Sequence, residues 1–148
     1  MDIGFWEIDE GIEDAERFFG LIGQLLPGAT HLFVEASTVA EDVEACYGRH
    51  ADPGLYLPRR HTLWPRARLF RCRSSHDLLR EMAELAASHA APELLDHLTL
   101  CEGAEMLLEW PDAFANRILL NGALSEATVA SLAGPFGLRY GRRRARRV

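Results

Sequence analysis

Two Cys-x-x-x-His spacings are the most unusual chemical pattern in the chain: Cys46 with His50, and Cys72 with His76. Thiolate and imidazole are good zinc ligands, and residues four apart on a helix share one face, so two such pairs would supply four ligands. Packing accounts for them more simply. Cys46 and Cys72 fall on positions predicted to face the core, where a free cysteine behaves as a small hydrophobe. His50 falls at a predicted helix C-terminus, where the dipole favours histidine, and His76 in a first turn. The spacings also match known zinc patterns poorly. The expectation is no metal and no cofactor. Ser74, Ser75, His76 and Asp77 contain the residue types of a nucleophilic triad, but a triad needs converging side chains, and neighbours in sequence do not converge. Helix capping explains both serines and the aspartate.

Three further groups merit a role. The segment from Ala51 to Pro65 lacks any periodicity and carries Pro53, Gly54, Pro58 and Pro65. It holds Tyr56, Arg59, Arg60, His61 and Trp64, with Arg66, Arg68, Arg71 and Arg73 following and no acid between Asp52 and Asp77. Long irregular loops in compact domains tend to be functional, and arginine interleaved with aromatics suits a protein interface or stacked bases. Packing of Tyr56, Leu57 and Trp64 onto the body is the rival explanation. Second, Glu35 ends a predicted central strand, the edge at which open α/β sheets place ligands. Parallel pairing with the next strand would put Glu35, Ser37, Ser74 and His76 on one edge, a candidate small-molecule site. Third, Glu109 and Asp112 form a carboxylate pair near Trp110 and Phe114, with nothing to fix their separation. No GxGxxG, P-loop, HExxH, GxSxG or CxxC pattern is present, which lowers the expectation of an enzyme.

The elements that must position these residues follow from periodicity. Ile3–Ile8 alternates as a strand, and Asp9–Leu26 reads as a helix with Ile12, Ala15, Phe19, Ile22 and Leu26 on one face. Pro27-Gly28 stops it. His31–Ala36 is a compact apolar strand, and Thr38-x-x-Glu41 is a capping box opening a helix that ends near His50. Arg66–Arg73 reads as a strand, and Ser74 or Ser75 caps a helix with Leu78, Leu79, Met82 and Leu85 in its stripe. Asp96–Cys101, Glu105–Trp110 and Arg117–Asn121 are strands, the first two joined by a hairpin at Glu102-Gly103. Ser125 caps a last helix that Gly134-Pro135 closes. Early strands separated by helices favour parallel pairing, and the late strands an antiparallel meander. The expected fold is α+β: a two-layer sandwich with a mixed sheet of five to six strands and helices mainly on one face.

The 148 residues suit a single domain over residues 1–140, followed by a basic, disordered tail at 141–148. All 16 basic residues are arginine, as GC-rich bacterial coding favours, and they face 22 acids for a net charge of −6. Arg139 to Arg147 holds no acid, so the body before it is more acidic still. Three cysteines without a CxxC pair imply free thiols in a reducing compartment, and neither a signal peptide nor a membrane span is legible. A cytoplasmic protein is expected. The leading functional expectation is a non-enzymatic protein-interaction domain of adaptor, inhibitor or immunity type, docking a protein partner on its acidic body. A second copy of the chain is an alternative partner, and no membrane is involved. The rival classes are a small enzyme working near Glu35, Ser74 and His76 or under the 51–65 loop, and a nucleic-acid binder using the 59–73 stretch and the tail. An acidic body repels phosphate, which ranks nucleic acid last.

Overall fold

Seven strands pair into one open sheet in the computed structural model, which describes residues 4–55 and 68–144. In chain order the described elements are β1 (Phe5–Ile8), α1 (Ala15–Leu25), β2 (His31–Ala36), α2 (Glu41–Arg49), β3 (Arg68–Arg73), α3 (His76–Ala86) and α4 (Ala91–Leu94). They continue with β4 (His97–Glu102), β5 (Glu105–Trp110), β6 (Ile118–Asn121), α5 (Glu126–Ala133), a 3-10 turn at Gly134–Phe136 and β7 (Tyr140–Arg143).

The strand order is β3-β2-β4-β5-β6-β1-β7, and every pairing is antiparallel. This corrects the mixed sheet of five to six strands. The meander β4-β5-β6 lies between β1 and β2, so helix α1 carries the chain across it and returns no strand to its predecessor's side. Four successive antiparallel steps separate β1 from β2, an even number, so those two strands run in the same direction without being neighbours. Both therefore finish at one end of the sheet, where β3, β4, β6 and β7 begin.

Alternation along the strands sorts the two faces. Ile8, Leu32, Val34, Cys72, Leu98, Leu100, Leu108, Trp110, Ile118 and Leu120 point into one buried cluster. Phe18, Phe19 and Ile22 of α1, Val43, Cys46 and Tyr47 of α2, Leu78, Leu79 and Met82 of α3, and Val129 and Leu132 of α5 fill the same cluster. The described helices thus cover one face, giving a two-layer α+β arrangement. On the other face Phe33 and Cys101 gather Leu55, Leu69 and Met106 into a small separate cluster.

Local signals set most helix starts. Ser75 caps α3 by accepting from the Leu78 N–H, and Ser125 caps α5 by accepting from Thr128. The Thr38–Glu41 box does not form. The backbone N–H and hydroxyl of Ser37 both donate to Asp96 Oδ2, and Ala40 N–H donates to the Glu93 carbonyl, which keeps residues 37–40 out of the helix. Extended Ala40 is the N-cap instead. Helix α1 likewise starts later than expected, because Gly11 sits at φ +130° and Asp9 N–H is bonded to the Arg139 carbonyl. Asp14 caps it, and Ile12, still buried, precedes it. The predicted hairpin is present, with Gly103 at φ +58°.

Gly141, Arg142 and Arg143, placed in a tail by their charge, are strand residues paired with β1. Arg142 lies 4.4 Å over the Trp6 ring and donates to the Gly122 carbonyl. Residues 145–148 lie outside the described ones. No described helix is long and apolar enough to cross a membrane.

Candidate functional site: an acidic rim and a cysteine–histidine–glutamate corner

Because β1 and β2 finish at the same end of the sheet, the connections that follow them share that end. The turn into α1 carries Asp9, Glu10, Glu13, Asp14 and Glu16; the turn into α2 leads to Glu41, Asp42 and Glu44. Glu93 and Asp96 enter β4 there, and Asp112 lies between β5 and β6. Acids in the first turn of a helix are favoured by its dipole, so the fold tolerates this accumulation at the starts of α1 and α2. With strands about 4.8 Å apart, the ends of β1 and β2 that lead into these two turns stand roughly 19 Å from each other across the sheet.

Some rim acids are engaged. Asp42 and Glu93 flank His89, at 2.8 Å from Nε2 and 3.0 Å from Nδ1, and Glu44 pairs with Arg68 at 2.6 Å. The hydrogen bond to Asp42, followed by that to Glu93, raises the His89 pKa above its ordinary value, and His89 in turn lowers that of Asp42. Glu10, Glu13, Glu16 and Glu41 are exposed and make no ion pair among the described residues. They were legible only as charge; their gathering at one end depends on strand order.

The opposite end holds a different arrangement. Cys46 and His50, four residues apart across the end of α2, face Glu81 of α3. Cys46 Sγ lies 4.0 Å from Glu81 Oε2, His50 Nε2 contacts the same oxygen, and Arg49 holds the other oxygen at 2.9 Å. The hydrogen bond from His50 is the main cause of a lowered Glu81 pKa, and Arg49 adds to it. Burial raises the Cys46 thiol to about 11, with a smaller push from Glu81, so it is not a resting thiolate nucleophile. Beside this corner is a cleft of about 470 Å³ lined by Arg49, His50, Ala51, Asp52, Arg73, Ser74 and Ser75. In it Arg73 pairs with Asp52 at 2.7 Å, and Ser75 is spent on capping α3.

The remaining expected site residues separate. Glu35 pairs with Leu69, and Ser74 N–H donates to the Thr30 carbonyl, so Glu35 and Ser74 lie at opposite ends of the β2–β3 ladder, roughly 17 Å apart. The shared edge required parallel strands; antiparallel pairing removes it. Exposed His76 starts α3 and lines a different hollow with Phe19, Gly23 and Leu79. The second Cys-x-x-x-His pair therefore does not complete the first: Cys72 is buried and its thiol contacts the Tyr47 carbonyl. Glu35, Thr99 and Glu109, the buried polar side chains, share the face away from the helices, as their register with His97, Phe33 and each other requires. On that face an apolar hollow of about 290 Å³ is lined by Phe5, Met106, Leu107, Leu119 and Asn121 beside Glu109. Tyr56, Arg59, Arg60, His61 and Trp64 lie outside the described residues.

Sequence reasoning missed Glu81. It flanks the apolar stripe of α3, next to Met82, the position from which a side chain reaches a neighbouring helix, but nothing local says that the neighbour is α2. Comparison of the chain with protein-family models, with curated proteins and with solved structures finds no match.

Proposed function

We propose that this chain is a protein-interaction domain, of adaptor, inhibitor or immunity type, that docks a basic partner on its acidic rim. The observation that carries the reading is the gathering of Glu10, Glu13, Glu16 and Glu41 at one end of the sheet without ion pairs among the described residues. Acids neutralised one by one by neighbouring arginines would produce no net field. A row of solvated carboxylates does, and such a field speeds encounter with a basic surface and rejects acidic ones. These rim acids are exposed and spread over the starts of two helices, so they suit a macromolecular partner better than a small substrate. The same field repels phosphate, which keeps nucleic acid as the lesser reading.

The test is a titration of the full chain with a lysine-rich peptide and, in parallel, with a single-stranded RNA oligonucleotide. Saturable peptide binding that weakens steeply with salt, without RNA binding, supports the proposal. No peptide binding at low salt, or preferential RNA binding, overturns it.

A further inference from the structure

The corner between α2 and α3 brings together a sulfur, a nitrogen and a carboxylate oxygen from Cys46, His50 and Glu81, all within 4.8 Å of one another. Among the described residues this is the sole such group. We propose that it is a binding site for a borderline-soft divalent cation of the zinc type, with three protein ligands and one open position.

Four observations support it. The donor set is selective: thiolate and imidazole favour zinc-like ions over magnesium and calcium, which prefer oxygen alone. A thiolate and a carboxylate together offset the charge of a divalent ion, with Arg49 on the outer carboxylate oxygen left as one positive charge facing solvent. The distances are close to those needed. Bonds of about 2.0–2.3 Å place tetrahedral ligand atoms roughly 3.5 Å apart, so the Cys46 sulfur has to close by about 1 Å at most while the contacting His50 nitrogen and Glu81 oxygen move apart to admit the ion, both within the reach of side-chain rotation. Finally, the carboxylate is already oriented from outside. Arg49 takes Glu81 Oε1 and leaves Oε2 toward Cys46 and His50, the kind of supporting contact that fixes a metal ligand.

Without the ion, His50 Nε2 and Glu81 Oε2 satisfy each other, and the Cys46 thiol points at the same oxygen. Entry of the ion replaces both contacts: the thiol gives its proton to solvent, His50 gives up the proton on Nε2 and keeps one on Nδ1, the sulfur, Nε2 and Oε2 become ligands, and Arg49 keeps Oε1. The fourth position falls to water on the side where His50 borders the cleft of about 470 Å³. Ligation would also tie the end of α2 to the middle of α3. Cys72 and His76, the other sequence pair, take no part, because Cys72 faces the Tyr47 carbonyl and His76 is exposed elsewhere.

The experiment uses the full chain, stripped with chelator and titrated with Co²⁺ and then Zn²⁺. One equivalent of Co²⁺ is expected to give a thiolate-to-cobalt charge-transfer band, which one equivalent of Zn²⁺ abolishes, and Zn²⁺ should raise the melting midpoint by roughly 5 °C. Cys46→Ser removes the band. Because Cys46 is in the core and its variant can fail to fold, half-buried Glu81→Gln is the second probe: it should retain the fold and weaken Co²⁺ binding by more than about tenfold. His76→Ala, on the exposed start of α3, leaves binding unchanged. Absence of the charge-transfer band with wild-type protein, or a band and affinity that Glu81→Gln leaves intact, overturns the proposal.

Discussion

The corner where α2 meets α3 and the rim at the other end of the sheet use the same acidic side chains in opposite ways. At the end where α2 finishes and α3 begins, Asp52 is tied to Arg73, Asp77 to Arg80, and Glu81 to Arg49 and His50. At the other end Glu10, Glu13, Glu16 and Glu41 stand in solvent. Tied carboxylates shape a local geometry and cancel their own field, while free ones shape nothing and project a field outward. The corner therefore holds a fixed arrangement, while the rim keeps exposed carboxylates that make no ion pair among the described residues. Within the rim, Asp42, His89 and Glu93 make an intermediate case: a triad that pins α2 to the segment ahead of β4 and leaves net negative charge.

The comparison breaks most severely if the rim loses its foundation. Trp110 is fully buried at the end of β5, with Phe18 of α1 at 4.9 Å and Phe114 at 4.6 Å between ring centroids, and its Nε1–H donates to the Asn116 carbonyl. Trp110→Ala is expected to cost about 3–5 kcal/mol in urea unfolding. Next is Tyr47, whose buried hydroxyl donates to the Leu94 carbonyl at 2.7 Å and so joins α2 to α4. Tyr47→Phe should cost about 1–2 kcal/mol, because it strands a buried acceptor while removing only one atom.

A smaller, pH-dependent effect separates His89 from the free acids. Its folded pKa is raised, chiefly by Asp42 and then by Glu93, so its stabilising contribution is complete below the unfolded value and is lost as pH rises through the folded one. Asp42 is lowered by the same contact, so its contribution is present above its unfolded value and is lost as pH falls through the folded one. The triad is thus strongest in the window between the lowered carboxylate and the raised imidazole. The stability difference between wild type and His89→Gln should be larger at about pH 6 than at about pH 9, by denaturant melts at both values. An equal difference at both would remove the charged His89 from the account.

What was legible in the chain follows the range of the forces involved. The hairpin at Glu102-Gly103, the Ser75 and Ser125 caps and the apolar stripes of α1 and α3 are set by residues within a turn of one another, and they stand in the structure nearly as read. Strand order was not legible, because β2 and β4 meet only after more than sixty residues of chain have been placed, and apolar alternation is the same for parallel and antiparallel neighbours. The Thr38 box failed for a similar reason: Asp96 and Glu93, remote in sequence, compete for the backbone ahead of α2. β7 escaped notice because Tyr-Gly-Arg-Arg has no apolar alternation; an edge strand held by backbone pairing and by Arg142 on Trp6 needs none. The same limits hid the sites. The acids of the rim come from segments that share one end of the sheet only because β1 and β2 run in one direction, and Cys46 and His50 needed Glu81 from another helix.

The most direct test of the rim is a pair of charge-matched variants titrated with the same lysine-rich peptide. One carries Glu10→Gln, Glu13→Gln, Glu16→Gln and Glu41→Gln; the other carries Asp77→Asn, Glu102→Gln, Glu105→Gln and Glu126→Gln, all at the opposite end of the sheet. Both change net charge by the same amount. The rim variant is expected to bind more than about tenfold more weakly and with a shallower salt dependence, and the opposite-end variant within about twofold of wild type. Equal loss in the two variants would mean that overall charge, and not the rim, attracts the peptide, and would contradict the account.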